Sequence, residues 1–405
     1  MHSVRTRTPG ARRVLRVWVL VALGACLGGC LRLRGSAQSA AAQKDAIEAA
    51  QSAQKPSSAH MYVSGRFLYD RCGERVVLRG INKMVIWTDP EGETFPEIAK
   101  TGANTVRIVW TIEDDRGAAA LDSVLTRAEE AKLIPIIELH DATGALNRVV
   151  DLVDFWTRAE VTEVLKRHEP SLLLNIGNEP GGDGIKADEF VAVYKDAVSR
   201  LRHAGLAMPL VIDAPHWGQD IDVLQQAAPE LLSADPEHNL LFSAHLWWPQ
   251  GLNTTDPGST KRIVAELQES ADIGLPLIVG EFAHAGVGCS QSIDYKTILA
   301  KTHTHEIGWL AWSWGPGNQD CGEMDMTEDG RFETLHGWGL EVAVTDPNSI
   351  RNTSKIPESM LRGKCPRRLG ASKAQGVRRP GQAGTVLPSG TWRSTSSMRR
   401  AESAS

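Results

Sequence analysis

Two glutamates stand just after short apolar runs of this chain, at the positions where a barrel of parallel strands carries its active site. Glu179 follows the run 172–176, and Glu281 follows the run 277–279. Glycoside hydrolysis uses two carboxyl groups that face one bond: one protonates the leaving oxygen, and the other attacks the sugar or activates water. The two glutamates are therefore candidate catalytic groups for cleavage of a glycosidic bond.

Apolar runs alternate with helical patterns between residues 60 and 360, which predicts a parallel α/β architecture. We predict strands over residues 76–78, 105–109, 134–139, 172–176, 210–212, 240–244, 277–279 and 309–311, and helices over residues 118–131, 155–166, 190–204 and 260–273. Eight such strands in about 300 residues are typical of a (β/α)8 TIM barrel. Just before them, the runs 61–63 and 67–69 predict a small N-terminal β-hairpin that caps the barrel bottom. A doubly wound open sheet is the alternative, although no glycine-rich phosphate loop follows the first strand.

Hydrogen-bonding and aromatic side chains follow nearly every predicted strand, so they should meet at one rim of the barrel. Besides the two glutamates, they are Trp87, Trp110, His140, Asp141, Asn178, Asp213, His216, Trp217, His245, Trp247, Trp248, His284, Trp312 and Trp314. The chain has 12 Trp against 4 Tyr and 7 Phe, and the flat indole ring suits the apolar face of a sugar. This clustering predicts an open cleft and a polysaccharide substrate.

The two ends of the chain differ in composition from the barrel region. Residues 1–30 place a basic start before a short apolar run, and Cys26 and Cys30 each follow a small pair, as in bacterial lipoprotein signals. We expect an exported protein, at the outer surface or extracellular, that touches the membrane only through a lipid on one of these cysteines; ordinary signal cleavage is the alternative. Residues 31–59 indicate a flexible tether, and residues 361–405 indicate a basic disordered tail.

The charge distribution narrows the choice of partners. Residues 1–60 contain nine Lys and Arg against two Asp and Glu, and residues 361–405 contain ten against one, although the net charge of the chain is -5. The barrel region is therefore strongly acidic. An acidic body argues against nucleic acid as a partner, and we expect a monomer.

Four cysteines remain outside the signal region, and an even number in an exported chain favours disulfides over metal ligands. No two of them have the C-x-x-C spacing of a zinc site. We expect a bond between Cys289 and Cys321, because both should lie in loops on one face, and a second bond between Cys72 and Cys365.

Five strings of the chain resemble glycoside hydrolase family 5, and among its members the bacterial endo-β-1,4-mannanases. They are residues 101–107 (TGANTVR), 140–144 (HDATG), 178–180 (NEP), 280–282 (GEF) and 308–314 (GWLAWSW). The resemblance covers about residues 61–345. It implies a (β/α)8 barrel that hydrolyses β-1,4-linked polysaccharide, in particular mannan, at internal bonds and with retention of configuration. It also implies that no metal and no cofactor take part.

The resemblance further implies individual roles. Glu179 would be the acid/base and Glu281 the nucleophile, with Arg107 beneath Glu281 to keep it ionised. Asn178 would hold the sugar 2-hydroxyl, and Trp312 would form the floor of the -1 subsite. The complete predicted substrate-binding set is Arg107, His140, Asn178, Trp217, His245, Trp247, Trp312 and Trp314, in which the two histidines contact substrate or the carboxylates.

One position departs from the family pattern. Relatives usually carry Tyr two residues after His245, where its hydroxyl bonds the nucleophile, and this chain has Trp247. An indole N–H can donate one hydrogen bond but cannot accept one. The change keeps open a non-catalytic surface lipoprotein that binds polysaccharide through its Trp-lined rim.

Three further alternatives concern the substrate and the chemistry. An endo-β-1,4-glucanase of the same family would use the same carboxylates, and no single residue decides between mannan and glucan. Glu138 is a rival carboxylate, which we expect one layer deeper than His140 and paired with Arg107 or another base. A metal-dependent hydrolase would need His-x-His at the first strand end, and residues 80–83 (GINK) offer none.

Overall fold

The N-terminal part of the computed structural model, which describes residues 39–51, 57, 59–113, 116–250, 258–363 and 365, contains one helix and a small sheet. Residues 39–51 form helix α1, so the prediction of a flexible tether over residues 31–59 is wrong for this part. Alanine is the best helix former, and Ile47 is fully buried in the core. Composition alone does not reveal this buried apolar side chain.

The small sheet consists of β1 (Tyr62–Ser64), β2 (Phe67–Tyr69) and β3 (Arg75–Val76), all antiparallel. The first two strands are the predicted hairpin, with Gly65 at a φ of 54° in its turn. Val63 and Leu68 belong to the same buried cluster as the barrel residues Ile134 and Leu310. The hairpin therefore closes the N-terminal end of the barrel.

Eight parallel strands form a closed barrel, in agreement with the predicted fold class. They are β4 (Arg79–Lys83), β5 (Thr105–Trp110), β6 (Ile134–Leu139), β7 (Leu173–Asn175), β8 (Leu210–Asp213), β9 (Leu240–His245), β10 (Leu277–Glu281) and β11 (Gly308–Ala311). Each strand pairs with the next along the chain, and β11 pairs with β4 to complete the ring. Seven of the eight predicted strands overlap these bounds.

The first predicted strand is wrong. Residues 76–78 were chosen because they are apolar, whereas the barrel strand is β4, whose sequence Arg-Gly-Ile-Asn-Lys has one apolar side chain. Arg79 is nevertheless fully buried, and its Nη1 donates to the carbonyls of Leu78 and Ile307 at 2.9 and 2.8 Å. These hydrogen bonds satisfy a charged group that composition alone would place outside.

Helices surround the barrel and follow its strands. Their bounds are α2 (Val85–Thr88), α3 (Phe95–Ala99), α4 (Gly117–Glu130), α5 (Val149–Trp156), α6 (Ala159–His168), α7 (Ala187–His203), α8 (Ile221–Ala234), α9 (Gly258–Asp272), α10 (Tyr295–Thr304), α11 (Gly337–Leu340), α12 (Ile350–Thr353) and α13 (Glu358–Arg362). The predicted helix over residues 155–166 is two helices, because Arg158 is extended (ψ 138°) and separates α5 from α6. Among the described residues no helix combines the length and the apolar character needed to cross a membrane.

The two expected disulfides are both present. Cys289 joins Cys321 across the loops that follow β10 and β11, and Cys72 joins Cys365. The second bond and helix α13 extend the ordered structure into the first residues of the predicted tail. The rest of that tail lies outside the described residues, as do the signal region and Cys26 and Cys30, one of which is predicted to carry a lipid.

Candidate active site

Glu179 is held in a strained backbone conformation just beyond the end of β7. Its φ is 49°, in the left-handed region that non-glycine residues rarely occupy. The N–H of Glu179 donates to Asp213 Oδ2 at 3.1 Å, and its carbonyl accepts from the N–H of Gly144 at 2.9 Å. Such strain persists only where neighbouring groups enforce it, and it is frequent at functional sites.

Glu281 ends β10, and a local irregularity in the sheet aims its side chain. The register between β9 and β10 shifts between Val279 and Glu281, which places Glu281 opposite His245. Gly280 makes this possible because there is no room for a side chain. A Cβ at this position would lie 2.3 Å from Ser243 Oγ.

The two glutamates converge on one imidazole. His245 Nδ1 lies 2.7 Å from Glu179 Oε1 and 3.4 Å from Glu281 Oε2. A ring nitrogen of His245 and one carboxylate oxygen from each glutamate lie within 4.8 Å of one another. Retaining glycosidases separate their carboxyl groups by about 5–5.5 Å and inverting ones by about 6.5–9.5 Å. The spacing of Glu179 and Glu281 fits the retaining geometry.

Arg107 lies beneath Glu281, inside the barrel. Its Nη1 donates to Glu281 Oε1 and its Nη2 donates to Asn178 Oδ1, both at 2.8 Å. The guanidinium also donates to Asn82, Asn175 and Asp213 at 2.9–3.4 Å, and Glu138 lies 3.8 Å from it as an ion-pair partner. Burial lowers the pKa of Arg107, but the surrounding carboxylates outweigh it and raise the pKa overall. Arg107 therefore supports Glu281 from below.

Opposed charges determine protonation in this cluster. Burial tends to lower the pKa of His245, but Glu281, Asp213 and Glu179 raise it to about 9. His245 is therefore an imidazolium at neutral pH. Burial raises the pKa of Glu281 above its ordinary value, and the positive charges of His245 and Arg107 oppose that rise. The charges of His245 and Arg107 favour ionised Glu281, but burial has the larger effect.

Trp247 supplies a hydrogen bond to the other carboxylate oxygen of Glu281. Its indole Nε1 donates to Glu281 Oε2 at 3.3 Å. The residue that departs from the family pattern thus still offers a donor to this glutamate. Since an indole cannot accept a hydrogen bond, Trp247 can only donate.

His140 and Asn178 stand at the edge of the same cluster. Glu138 is fully buried, and its Oε1 lies 3.0 Å from His140 Nδ1. It is therefore one layer deeper than the cleft, as expected, and orients the imidazole ring. Asn178 Nδ2 donates to Thr143 Oγ1 at 3.0 Å, while its Oδ1 accepts from Arg107.

A cleft of about 710 Å³ opens above these groups at the carboxyl end of the barrel. Of the predicted site residues, the structure brings together along it His140, Asn178, Glu179, Trp217, Trp247, Glu281 and Trp312. Trp87 and Trp217 are the most exposed of its aromatic side chains, at 54% and 39%. Sequence reasoning missed several lining residues, which are Met84, Thr143, Gln219 and Asn318. They lie on loops or short turns, where no strand or helix period marks them.

Three residues of the predicted substrate-binding set do not line the cleft. Arg107 and His245 are buried and act on the glutamates. Trp314 is fully buried, and its Nε1 donates to the carbonyl of Gly330 at 2.8 Å. The error for Trp314 arises because β11 ends at Ala311, so the alternation of a strand does not continue beyond that residue.

Comparison with known proteins agrees with this geometry. A family model described as Cellulase (glycosyl hydrolase family 5) matches residues 69–318. The chain belongs to glycosyl hydrolase family 5. It is 31% identical to a mannan endo-1,4-beta-mannosidase of Cellvibrio japonicus, over 74% of this chain and 69% of that protein. It is 33% identical to a mannan endo-1,4-beta-mannosidase of Salipaludibacillus agaradhaerens, over 73% of this chain and 94% of that protein.

A solved structure is similar to this chain over most of its length. The crystal structure of a β-mannanase from Streptomyces thermolilacinus with mannohexaose has a TM-score of 0.66 and 32% identity, and the match covers 74% of this chain and 98% of that one. Membership of family 5 confirms the predicted family, the (β/α)8 barrel and a glycoside hydrolase acting on O-glycosyl bonds.

Proposed function

We propose that this family 5 enzyme is an endo-β-1,4-mannanase that cleaves with retention of configuration. The observation that carries the mechanism is the pair of carboxylates, Glu179 and Glu281, with oxygens within 4.8 Å of each other at the base of an open cleft. The relatives named for activity on mannan support the choice of substrate.

In the first step Glu281 attacks the anomeric carbon while Glu179 protonates the oxygen of the leaving sugar. Glu281 is then bonded to the sugar and has lost its negative charge. In the second step Glu179 accepts a proton from water, which displaces Glu281 and restores both carboxyl groups. The net reaction consumes one water and leaves the configuration of the new reducing end unchanged.

Three neighbouring groups contact the two carboxylates. Arg107 and Trp247 donate to different oxygens of Glu281, which fixes the plane of the attacking carboxylate. His245 contacts Glu179 directly and carries a positive charge at neutral pH. The proposed acid/base therefore sits beside a cation that is itself held by carboxylates.

The test is hydrolysis of mannan by wild type and by Glu281→Ala and Glu179→Ala, with the exposed Glu237→Ala as matched control. We expect Glu281→Ala to lose at least about 10⁴-fold in kcat, because a covalent step is removed. Azide should restore turnover of an activated mannoside in the Glu179→Ala variant and give a β-mannosyl azide. Activity of Glu281→Ala within tenfold of wild type would refute its role.

Substrate choice is tested by reducing-sugar release from mannan and from carboxymethylcellulose by the same enzyme. We expect mannan to be the better substrate. Faster release from carboxymethylcellulose would instead favour an endo-β-1,4-glucanase. Binding to either polymer without any released product would favour a non-catalytic binding protein.

We also propose that the protein is exported and anchored by a lipid on Cys26 or Cys30, and that it acts as a monomer. The basic start, the short apolar run and the small residues before each cysteine support export. Two disulfides among the described residues are also typical of exported proteins. Labelled palmitate should be incorporated into wild type and lost from either Cys26→Ser or Cys30→Ser. No incorporation into wild type would contradict the anchor.

A further inference from the structure

The side-chain amide of Asn178 is fixed at its oxygen end by Arg107. Asn178 Oδ1 accepts from Arg107 Nη2 at 2.8 Å, and both side chains are buried. Turning the amide over would place its NH2 group against the guanidinium, which can only donate hydrogen bonds. Arg107 therefore determines which way the amide is turned.

Thr143 fixes the nitrogen end of the same amide. Its Oγ1 accepts from Asn178 Nδ2 at 3.0 Å and donates to the carbonyl of His140 at 3.3 Å. A threonine hydroxyl has one proton, and because that proton goes to the carbonyl, a lone pair remains for the amide. The hydroxyl of Thr143 is thus oriented to accept from Asn178.

The loop that carries Thr143 is tied to the segment of the proposed acid/base. The N–H of Gly144 donates to the carbonyl of Glu179 at 2.9 Å, and Thr143 forms an isolated antiparallel bridge with Pro180. Thr143 itself is exposed and lines the cleft. Backbone contacts therefore hold its hydroxyl next to the amide of Asn178.

One N–H of the Asn178 amide remains for a ligand. The nitrogen carries two protons, and Thr143 accepts only one of them. Among the described residues, the other contact of Nδ2 is to His140 Nε2 at 3.4 Å, which is long for a hydrogen bond. Because Asn178 lines the cleft with Glu179 and Glu281, a sugar hydroxyl close to the reacting carbon can accept from this N–H.

We propose that Thr143 is a positioning residue for the sugar that is attacked: it holds the Asn178 amide so that the second N–H donates to the 2-hydroxyl of that sugar. The argument rests on the proposed function, in which Glu281 attacks the carbon next to this hydroxyl. Hydrogen bonds to the 2-hydroxyl strengthen in the transition state. A donor that Thr143 holds in place therefore acts on kcat more than on KM.

The first test measures kcat and KM for mannopentaose in variants of Thr143. Thr143→Val keeps the branched shape but lacks the hydroxyl, and we expect kcat to fall about tenfold, as for the loss of one hydrogen bond, while KM stays at its wild-type value. Thr143→Ser keeps a hydroxyl and should recover most of the lost kcat. The matched control is Thr304→Val, because Thr304 is exposed and its hydroxyl donates to its own helix, at the carbonyl of Ala300. It should have wild-type kcat.

The second test identifies the substrate atom on which Thr143 acts. It compares 4-nitrophenyl β-mannobioside with the analogue that lacks the 2-hydroxyl on the attacked sugar. Thr143→Val should lower kcat for the complete substrate about tenfold and leave kcat for the analogue unchanged. In an Asn178→Ala background, Thr143→Val should lower kcat for neither substrate, since the amide that it positions is gone.

Equal losses on the two mannobiosides in Thr143→Val would overturn the inference and leave the proposed mannanase activity intact. An effect on KM larger than that on kcat, or a Thr143→Ser variant as slow as Thr143→Val, would overturn it as well. A wild-type enzyme that releases no product from mannopentaose and no nitrophenol from the mannobioside would refute the proposed function, and the inference with it.

Discussion

Raising the pH should remove a stabilising charge from the interior of this enzyme, because His245 is held as a cation there. Its imidazole is fully buried, with Nδ1 at 2.7 Å from Glu179 and Nε2 at 3.5 Å from Asp213. Together with Glu281, these carboxylates outweigh the effect of burial and raise the pKa of His245 to about 9. Deprotonation leaves three acidic groups around a neutral ring.

The size of the effect follows from linkage. An unfolded histidine has a pKa of 6.5, and the folded pKa of about 9 corresponds to about 3 kcal/mol at 1.36 kcal/mol per pKa unit. Because the folded pKa is the higher one, this contribution is complete below about pH 6.5 and is lost as the pH rises through about 9. The free energy of unfolding should therefore fall between pH 6 and pH 10 by about 3 kcal/mol from this group.

The assay is urea unfolding at pH 6 and pH 10, followed by tryptophan fluorescence, for three proteins. Wild type should lose about 3 kcal/mol more than His245→Gln between the two pH values, because the variant has no proton to lose. His203→Gln, an exposed histidine on α7, should follow wild type. A His245→Gln variant that loses as much stability as wild type would refute the assignment of the buried charge.

Three further substitutions test individual contacts. Trp247→Phe removes the donor to Glu281, and we expect kcat on mannan to fall about tenfold, since about 1.4 kcal/mol is typical of such a bond. Trp314→Phe leaves a buried carbonyl unpaired, so urea unfolding should show a loss of about 1–3 kcal/mol while KM for mannan stays at its wild-type value. The double variant Cys72→Ser, Cys365→Ser should lose about 2–5 kcal/mol, measured by thermal unfolding under oxidising conditions.

Each of these has a result that would contradict it. An unchanged kcat in Trp247→Phe would show that the 3.3 Å contact to Glu281 contributes nothing to the transition state. A raised KM for mannan in Trp314→Phe would show that Trp314 contributes to substrate binding in the cleft. Equal melting temperatures of the cysteine variant and wild type would mean that the cross-link constrains neither state.

Most of the barrel could be predicted because its strands are buried on both faces. Such strands have nearly continuous apolar sequences, as in Ile134–Leu139 and Leu240–His245. Strand β4 was missed because it contains two buried charged residues. Arg79 Nη1 donates to the carbonyl of Ile307, and Lys83 Nζ donates to the carbonyl of Gly315. Pairing with carbonyls distant in sequence leaves no trace in a local pattern. Helix α1 was missed because the composition of residues 31–59 did not indicate a helix that packs against the core.

Site residues could be predicted where a side chain suited to catalysis lies at the end of a strand. Glu179 and Glu281 stand out because a carboxylate directly after an apolar run has few structural explanations. Asn175, inside the run of β7, could have been found by the same logic, because an amide in a buried strand needs a partner, here Arg107. Asn318, whose Oδ1 accepts from Trp312 Nε1 at 2.8 Å, could not, since the loop that carries it has no periodic signal.

The structure explains the effect of having Trp instead of the usual Tyr at position 247. Glu281 Oε1 accepts from Arg107 and Oε2 accepts from Trp247, and neither donor titrates below about pH 10. A phenol could lose its proton at alkaline pH and repel the carboxylate. The indole cannot, which leaves His245 as the group of this cluster whose charge changes near pH 9. The departure from the family pattern therefore keeps the donor and removes a titrating group.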